Sequence, residues 1–599
     1  MLNTENQINI QKSRILISGL IALCLGLIII ARLWFLQVVE ASELAKAATN
    51  NRIKIIKTNA PRGTILDRNE NPIAQSKKYF LVSVIPEKLS STPDGKENFC
   101  HIMGLTIEEY DSIIKHSRAR KGSPIRIAVD VPLETLVKLG ESRMFIDGVT
   151  IENDYVRYYP LGKDMAHITG YLREITSEQL QKSRETDGIY KMGDYVGVSG
   201  LEKYYENELK GIDGGQKIEV NAGGKVVRVL ATEEGVPGKT VKLSIDKNVQ
   251  NAALTALNGK TGAVVALNPQ TGEIYSLISN PSYDPNLFVR GLKLSDWKAI
   301  AENKAHPLLN RATNSLYPPG SIFKPIIAAA TLENQVANTR TTLYCRGYYT
   351  LGNYRKKCWA THGHTDFYKA ISQSCDVWFY DISLKLGIEN IAKTAREFGI
   401  GKATGIDLPE ENSKDGNFGI IPDPAWLKKR TGTSWRKGDT LNVSIGQGDV
   451  LVSPLQMAMA CGAIANKGTL YKPYLLSEIQ DVKTGKIISK TKPTVLSKIS
   501  VEDKYFDEII TAMEQTVSSG TGKTCKIDGI RVGGKTGSAQ ASGGVAHGWF
   551  IAFAPVENPT IAVCAIIERG ESGAGSAAPI CKAVIETFLK GKTETLNDI

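Results

Sequence analysis

The chain has 599 residues, enough for several domains of roughly 100–200 residues each. Hydrophobic residues make up 42% and charged residues 23%, an ordinary globular composition that excludes extended disorder. The net charge of +11 comes from scattered basic residues without a long Lys/Arg block, so we expect no nucleic-acid partner and assign most of this charge to a solvated surface.

The first element is an apolar run from Ile15 to Ala31, which continues beyond Arg32 as LWFLQVV. Together these stretches reach the about 20 apolar residues that one membrane-spanning helix requires. Lys12 and Arg14 precede the run and favour a cytoplasmic N-terminus. We therefore predict a cytoplasmic tail over residues 1–14, an anchor over residues 15–38 and a large domain outside the cytoplasm.

A cleaved signal peptide is the alternative to an anchor. Ala45-Lys46-Ala47 resembles a small-residue cleavage site, and basic residues on the far side of the run weaken the charge signal. However, the apolar run is longer than the about 7–15 residues of a signal core, which favours an uncleaved anchor.

Residues 39–254 mix short strand-like and helical stretches without an obvious catalytic cluster. Three strings stand out: APRGTILDRN at 60–69, RYYP at 157–160 and GVSGLEKYY at 197–205. The first is a turn that leads into a strand, and the last is a glycine turn that begins an amphipathic helix. We interpret this region as a structural pedestal of mixed α+β type.

The pattern changes near residue 255. A hairpin signal, GAVVALNPQTGEIYSLISN, is followed by helical segments and then by the late strands IRVGGKTGSAQ and GWFIAFAP. A final helix, ICKAVIETFLKG, precedes a polar tail at 593–599. This order predicts one α/β domain over residues 255–592.

The stretch PPGSIFKP places Ser321 after a turn, with Lys324 three residues later. Serine often caps a helix, but residues three apart also share a helix face and could form a nucleophile and its base. Spacing cannot decide between these interpretations, because Ser-x-x-Lys occurs six times, beginning at Ser112, Ser244, Ser295, Ser321, Ser434 and Ser489.

Two later motifs supply the context for Ser321. Ser374-Cys375-Asp376 lies in a helical segment, and Lys535-Thr536-Gly537-Ser538 lies in a glycine-rich strand. Such a strand weakens a sheet unless something approaches its backbone closely, and an extended peptide substrate would do so. Ser-x-x-Lys, Ser-x-Asp and Lys-Thr-Gly in this order resemble the signature of the penicillin-binding protein and serine β-lactamase superfamily.

The whole chain is similar to the class B penicillin-binding proteins, which combine one anchor, a non-catalytic pedestal and a transpeptidase domain. The three pedestal strings resemble motifs of that class, as does Gly446-Gln447-Gly448 followed by SPLQMA. Ser-Cys-Asp at the second motif resembles the penicillin-binding proteins 2 of cell elongation. The superfamily more often has Asn at position 376, and an ionised Asp cannot donate the hydrogen bond of an Asn amide.

The resemblance implies a role for each motif residue. Ser321 would be the acylated nucleophile, Lys324 its general base and Ser374 a proton relay, with Lys535 balancing the charge. The backbone N–H groups of Ser321 and Ser538 would stabilise the oxyanion. The substrate-binding residues would be Asp376, Thr536, Gly537 and Ser538.

The resemblance also implies the biology. The enzyme would be anchored by one span in a bacterial inner membrane with its C-terminal domain in the periplasm, and its fold would contain an antiparallel sheet flanked by helices. It would cross-link peptidoglycan stem peptides through an acyl-enzyme, without a cofactor for the chemistry, and β-lactams would inhibit it covalently. A polytopic lipid-II glycosyltransferase would be its membrane partner.

Three nearby cysteines form a separate candidate site. Cys345, Cys358 and Cys375 together with His364 are the ligand types of a tetrahedral structural zinc site, with His362 as the alternative histidine. A disulfide is the competing interpretation, because an extracytoplasmic compartment favours oxidation, but it would leave one of the three cysteines unpaired.

Two other functions stay open from the sequence. A D,D-carboxypeptidase or β-lactamase would use the same motifs for hydrolysis, although no motif indicates a glutamate placed to activate a deacylating water. A non-catalytic β-lactam sensor or scaffold would normally need more membrane spans or a cytoplasmic output domain.

Overall fold

The computed structural model describes residues 2–44, 52–116, 122, 124–142, 146–186, 189–221, 226–290, 292, 294–409, 418–540 and 544–597. The candidate cleavage site at 45–47 therefore lies outside the described residues. The chain forms two compact units, Met1–Ala60 with Ile212–Val236, and Pro61–Gly211 with Pro237–Ile599.

In chain order the strands are β1 (Ile53–Thr58), β2 (Ile65–Leu66), β3 (Pro72–Val84), β4 (Ile125–Val129), β5 (Val149–Tyr158), β6 (Leu172–Glu174), β7 (Tyr195–Gly197), β8 (Gly214–Val220), β9 (Val226–Glu233), β10 (Thr240–Leu243), β11 (Gly262–Leu267), β12 (Ile274–Asn280), β13 (Leu343–Cys345), β14 (Tyr348–Leu351), β15 (Tyr354–Lys357), β16 (Gly363–Thr365), β17 (Thr469–Tyr471), β18 (Leu476–Gln480), β19 (Ile487–Lys490), β20 (Val495–Lys498), β21 (Gly533–Ala539), β22 (His547–Ala554) and β23 (Ile561–Ile567).

The α-helices span Leu2–Trp34, Pro86–Leu89, Gly95–Met103, Ile107–His116, Leu133–Glu141, Ala166–Thr169, Ser177–Thr186, Gly200–Tyr204, Glu206–Leu209, Lys247–Leu257, Asn286–Val289, Leu294–Ala301, Lys324–Glu333, Phe367–Ser372, Asp376–Leu386, Ile388–Glu397, Pro424–Thr431, Lys437–Val443, Pro454–Ala465, Asp503–Ser518, Gly573–Ser576 and Ala578–Asn597. Short 3₁₀ turns span Gly162–Asp164, Gly320–Phe323 and Lys523–Cys525.

The first unit contains the apolar helix and a small sheet. Helix Leu2–Trp34 continues as a π-helical segment over Phe35–Val39. The stretch Arg14–Val39 is 26 residues long and contains an 18-residue window with a mean hydropathy of 2.6, none of which is buried, so by length and composition it is a candidate membrane span. Strands β1, β8 and β9 form an antiparallel sheet in the order β1-β8-β9.

A second sheet joins the region predicted as a pedestal to the later part of the chain. Its order is β19-β18-β10-β2-β3-β4, with β5 also paired to β3. Strand β10 is parallel to β2 and antiparallel to β18, so one sheet contains strands more than 200 residues apart. Because backbone hydrogen bonds continue from β2 to β18, the two regions share structure within the second unit.

The sheet behind the three motifs is antiparallel, with the order β12-β11-β23-β22-β21. Successive side chains of a strand point to opposite faces, and both faces are buried here, so β23 is an uninterrupted apolar run. One face packs with helices Lys324–Glu333, Pro454–Ala465 and Asp503–Ser518, and the other with Lys247–Leu257 and Ala578–Asn597. This architecture confirms the predicted antiparallel sheet flanked by helices.

Two segment predictions differ from the structure. Helix Lys247–Leu257 continues across the expected boundary after residue 254, and its Val249, Ala253 and Leu257 pack against the motif sheet. The last helix continues to Asn597, through most of the segment 593–599 that we predicted as a polar tail. Polar residues such as Lys and Glu are good helix formers, so polarity alone was a poor reason to end the helix there.

Candidate active site

Ser321 lies in the 3₁₀ turn Gly320–Phe323, directly before helix Lys324–Glu333. Phe323 is the residue that precedes this helix, and no side chain caps it, so the interpretation of Ser321 as a helix cap does not fit. The backbone N–H of Lys324 donates to Ser321 O. Side chains three apart eclipse in a 3₁₀ turn, so Ser321 and Lys324 lie on one face.

The ammonium of Lys324 connects the first two motifs. It is fully buried and donates to Ser374 O at 2.8 Å, to Ser374 Oγ at 3.2 Å and to Asp376 Oδ1 at 2.7 Å. These contacts match the three donors of a lysine. We expected Asp376 to bind substrate, but the structure places it in an ion pair with Lys324.

Ser374 has a backbone conformation that serine rarely adopts. Its φ of 56° is left-handed, while Ser374 N–H donates to Ile371 O and Cys375 N–H donates to Ala370 O. This is a Schellman ending of helix Phe367–Ser372, and glycine usually occupies the left-handed position. Holding a non-glycine residue there costs about 1–3 kcal/mol, a strain typical of functional residues. The turn directs the Ser374 hydroxyl toward Lys324.

The third motif lies on β21, the edge strand beside the Ser321 turn. A Cβ on Gly537 would be 3.1 Å from Pro319 O and 3.2 Å from Ile322 N. Likewise, a Cβ on Gly320 would be 2.8 Å from Ser538 O. The two glycines therefore let the turn and the strand approach closely, and the exposed Ser538 lies at their junction.

Lys535 is fully buried and donates to Thr536 O at 2.9 Å. Burial holds the pKa of Lys535 well below its usual value; the charge of Lys324 lowers it further and the carboxylate of Asp376 opposes the shift. The Thr536 hydroxyl shares a 2.7 Å hydrogen bond with Thr521, whose N–H donates to Ser372 O. Thr521, which our sequence reasoning missed, thus connects the third motif to the helix before Ser374.

The Gly446-Gln447-Gly448 loop supports the nucleophile turn from the other side. Gly320 N–H donates to Gly446 O at 2.8 Å, and a Cβ on Gly446 would be only 2.3 Å from Gly320 O. Trp549 Nε1 donates to Pro318 O at 3.1 Å. The turn that carries Ser321 is therefore held by backbone and side-chain contacts on both sides.

The cysteine site forms beside the second motif, but with a different histidine from the one we preferred. The ligand atoms of Cys345, Cys358, His362 and Cys375 all lie within 4.8 Å of one another. His364 is not part of this group; it is exposed and packs edge-on against Tyr344, opposite which it lies in the β13–β16 pair. His362 precedes β16 and turns inward, so the prediction of His364 was wrong in its choice of histidine.

Hydrogen bonds tie the cysteine site to the second motif. His362 Nδ1 is 3.6 Å from both Cys345 Sγ and Cys358 Sγ, and Asp376 N–H donates to Cys358 Sγ at 3.3 Å. A hydrogen bond from Cys375 lowers the pKa of the Cys358 thiol to about 5, while that of Cys375 is raised. Of these two thiols, that of Cys358 is therefore the more acidic.

The three pedestal strings, whose role sequence reasoning did not resolve, meet in a buried ion cluster. Arg62 Nε donates to Glu202 Oε2 and Arg157 Nε to Glu202 Oε1, both at 2.6 Å, and Arg62 also pairs with Glu206 at 2.7 Å. Glu202 is fully buried, and its Oε1 also accepts a hydrogen bond from Tyr159. No sequence spacing predicts this cluster, because its members are up to 144 residues apart.

Comparisons with known proteins agree with this geometry. Residues 262–586 match the family described as penicillin binding protein transpeptidase domain, and residues 57–243 match the penicillin-binding protein dimerisation domain. A peptidoglycan D,D-transpeptidase MrdA of Acinetobacter baumannii is 33% identical over 591 residues, which cover 95% of this chain and 86% of the relative.

Solved structures give the same result. One is a penicillin-binding protein 2 from Helicobacter pylori in a complex with MreC, which matches with a TM-score of 0.77 at 28% identity. The match covers 90% of this chain and 100% of the Helicobacter pylori chain. A chain from a peptidoglycan synthase complex, described as coordinating polymerization and crosslinking, has a TM-score of 0.70 at 29% identity over 95% of this chain and 97% of its own.

Fold, motif order and comparisons together define a serine acyltransferase of the penicillin-binding type, and the chain belongs to the class B penicillin-binding proteins. It is a peptidoglycan D,D-transpeptidase of the penicillin-binding protein 2 group, as the sequence motifs predicted. No cofactor is needed for this chemistry.

Proposed function

We propose that Ser321 is the residue acylated in the transpeptidase reaction and that Lys324 is its general base. The observation that carries the assignment is the buried contact of Lys324 with Ser374 and Asp376, one 3₁₀ turn from Ser321. Mapping the residue that labelled penicillin modifies tests the assignment. A positioned proton transfer of this kind contributes about 10²–10⁴ in rate.

The reaction proceeds in two steps, acylation of Ser321 and transfer of the acyl group to an amine. Ser321 Oγ attacks the carbonyl carbon of the penultimate D-Ala of a stem peptide, the C–N bond to the terminal D-Ala breaks, and an ester forms on Ser321. The serine proton passes to Lys324 and through Ser374 to the leaving amine. An amine of a neighbouring stem peptide then attacks the ester, forms the cross-link and returns a proton to Ser321.

The position of Lys324 is fixed by its ion pair with Asp376, in which Lys324 Nζ lies 2.7 Å from Asp376 Oδ1. A lysine can accept a proton only in its neutral form. Burial holds the pKa of the neighbouring Lys535 well below its usual value, and Lys324 lowers that pKa further. We assign to Asp376 the role of holding the base in place, and the substrate contact expected of it from sequence stays a prediction.

The edge of β21 supplies the substrate site. The hydroxyls of Thr536 and Ser538 would hold the terminal carboxylate of the donor, and Gly537 lets the peptide lie close to the strand. The backbone N–H groups of Ser321 and Ser538 would stabilise the oxyanion, a contribution of about 2.7–4 kcal/mol for each donor. A β-lactam would occupy the same place and remain as a stable ester.

A second part of the proposal, the membrane arrangement, rests on the apolar N-terminal helix and on the basic residues that precede its apolar run. We place residues 1–14 in the cytoplasm and residues 15–38 in the inner membrane, with a pedestal over 39–254 and a transpeptidase domain over 255–592 in the periplasm. One solved structure named above is a complex with MreC, and the other is described as a peptidoglycan synthase complex that coordinates polymerization and crosslinking. We therefore propose a protein related to MreC and a lipid-II glycosyltransferase of the elongation machinery as partners of this chain.

Cys345, Cys358, His362 and Cys375 fit a structural zinc ion. Three sulfur donors and one imidazole are a tetrahedral zinc ligand set, and four protein ligands leave no open position for catalysis. The buried His362 Nε2 has no hydrogen-bond partner among the described residues, while Nδ1 faces two thiols. Bound zinc would fix the loop between Cys358 and Cys375 against the second motif.

We expect the full-length protein, purified without chelator, to contain about one zinc per chain. Cys358→Ser should remove most of the metal, whereas Cys525→Ser should not, because Cys525 is buried away from the cluster. Metal analysis by inductively coupled plasma mass spectrometry measures both. Metal-free wild-type protein with two fewer free thiols after denaturation would instead support a disulfide.

A further inference from the structure

Residues 343–365, which we call the cysteine arm, combine positive charge and aromatic rings. The segment carries Arg346, Arg355, Lys356 and Lys357 and contains no Asp or Glu. It forms two small antiparallel pairs, β13 with β16 and β14 with β15. Its most exposed rings are Tyr354 at 65%, Trp359 at 61% and Tyr344 at 56%. Exposed aromatic and basic side chains without carboxylates are typical of a binding surface.

The inner end of the arm contacts the catalytic residues. Trp359 Nε1 donates to Ser374 O at 3.1 Å, and this same oxygen accepts the 2.8 Å hydrogen bond from Lys324. Most of the indole nevertheless remains exposed. Trp359 therefore presents an open aromatic surface one hydrogen bond away from the base.

Lys356 lies beside the same site. It is half-buried on β15, its ammonium donates to Asn442 Oδ1, and it is 4.9 Å from the centre of the Tyr380 ring. Tyr380 follows Asp376 by about one turn of the same helix. An ammonium has three donors and the Asn442 oxygen can take only one of these hydrogens, so Lys356 can also bind an anion.

We propose that the cysteine arm binds the acidic stem peptide of the acyl donor, with Lys356 pairing with a side-chain carboxylate of the peptide and Trp359 covering the peptide beside Ser374. The inference rests on the proposed function, because the peptide must reach Ser321. Charge complementarity selects the partner, since the arm carries four basic side chains and no carboxylate. The cysteine cluster would then have a purpose, because Cys345 and Cys358 lie on either side of the β14–β15 pair and would hold it beside the second motif.

The neighbouring Lys357 offers a matched control. It is exposed and adjacent in sequence, and alternation along β15 points it to the other side from Lys356. Lys356→Met removes the charge and keeps the length of the side chain. Lys356→Arg keeps the charge. Lys357→Met lowers the net charge of the arm by the same amount as Lys356→Met, but on the other side of the strand.

The test uses the full-length protein in detergent and measures how two pentapeptides slow acylation by labelled penicillin. One carries its side-chain carboxylates free and the other carries them as amides, and both end in D-Ala–D-Ala. For wild-type protein at low salt, we expect the acidic peptide to compete at about a tenfold lower concentration, equivalent to about 1.4 kcal/mol. Lys356→Met should abolish this preference, and Lys356→Arg and Lys357→Met should keep it.

Equal competition by the two peptides on the wild-type protein would overturn the proposal. An unchanged preference for the acidic peptide in Lys356→Met would overturn it as well. If penicillin does not acylate the wild-type protein, the assignment of Ser321 fails instead. The proposal for the arm is then tested separately by peptide binding. The change in tryptophan fluorescence on adding each peptide is compared between the wild-type protein and Trp359→Phe, and the difference reports binding at Trp359.

Discussion

Lys324→Met is expected to slow acylation of the protein by labelled penicillin by about 10²–10⁴, the range for loss of a positioned proton acceptor. Methionine has a similar length but no donor or basic nitrogen. Ser374 and Asp376 lose their common partner, and Ser321 loses its base. The rate of adduct formation on the full-length protein, followed over time on a gel, measures the effect.

A second substitution separates catalysis from stability. Lys324→Arg retains a cation for Asp376, but a guanidinium stays protonated and cannot serve as a base. We therefore expect Lys324→Arg to be slow as well, while Lys385→Met, at an exposed helix position, should acylate at the wild-type rate. Wild-type acylation by Lys324→Arg would contradict the assignment of Lys324 as the base.

Glu202→Leu is expected to lower the free energy of unfolding by about 3–5 kcal/mol, because it leaves Arg157 as a buried charge without its partner. The side chain of Arg157 is only 1% exposed, and that of Glu202 is fully buried. The urea midpoint of the full-length protein, followed by tryptophan fluorescence, should shift to lower concentration. Glu178→Leu, at an exposed position in the first turn of helix Ser177–Thr186, should shift the midpoint much less, because it removes only a favourable charge–dipole interaction of about 0.3–1 kcal/mol.

A double variant tests the physical reason. Replacing both members of a buried pair by apolar residues is often neutral, whereas removing one member is costly. Glu202→Leu combined with Arg157→Leu should therefore be more stable than Glu202→Leu alone. A double variant that is less stable than both single variants would mean that Arg157 contributes mainly through packing and its 2.6 Å hydrogen bond to Gly63 O.

The local parts of the site could be predicted from sequence. The Pro-Pro-Gly turn, the three-residue spacing of Ser321 and Lys324 and the glycine-rich strand are all short-range patterns with a direct physical meaning. The apolar runs of β11 and β22 predicted strands, and both faces of their sheet are buried in the structure. Strand β23, an equally apolar run, was not predicted. Motif order then identified the superfamily.

Contacts between distant segments could not be predicted in the same way. The pairing of Asp376 with Lys324 depends on how two helices meet, and the choice of His362 over His364 depends on where β16 begins. Likewise, Arg62, Arg157 and Glu202 come together only once β2, β5 and helix Gly200–Tyr204 are packed. Each case requires the tertiary structure, since a single-residue change of register reverses the direction of a side chain.

The measurement we would make first is the mapping of the labelled-penicillin adduct on the full-length protein by peptide mass spectrometry. We expect the adduct on Ser321, and we expect it to persist long enough for digestion. It should be absent from Ser321→Ala, although that variant remains folded. An adduct on another serine, or the same labelling of Ser321→Ala, would contradict the assignment of Ser321 as the nucleophile. Rapid loss of the label with destruction of penicillin would instead indicate a hydrolase.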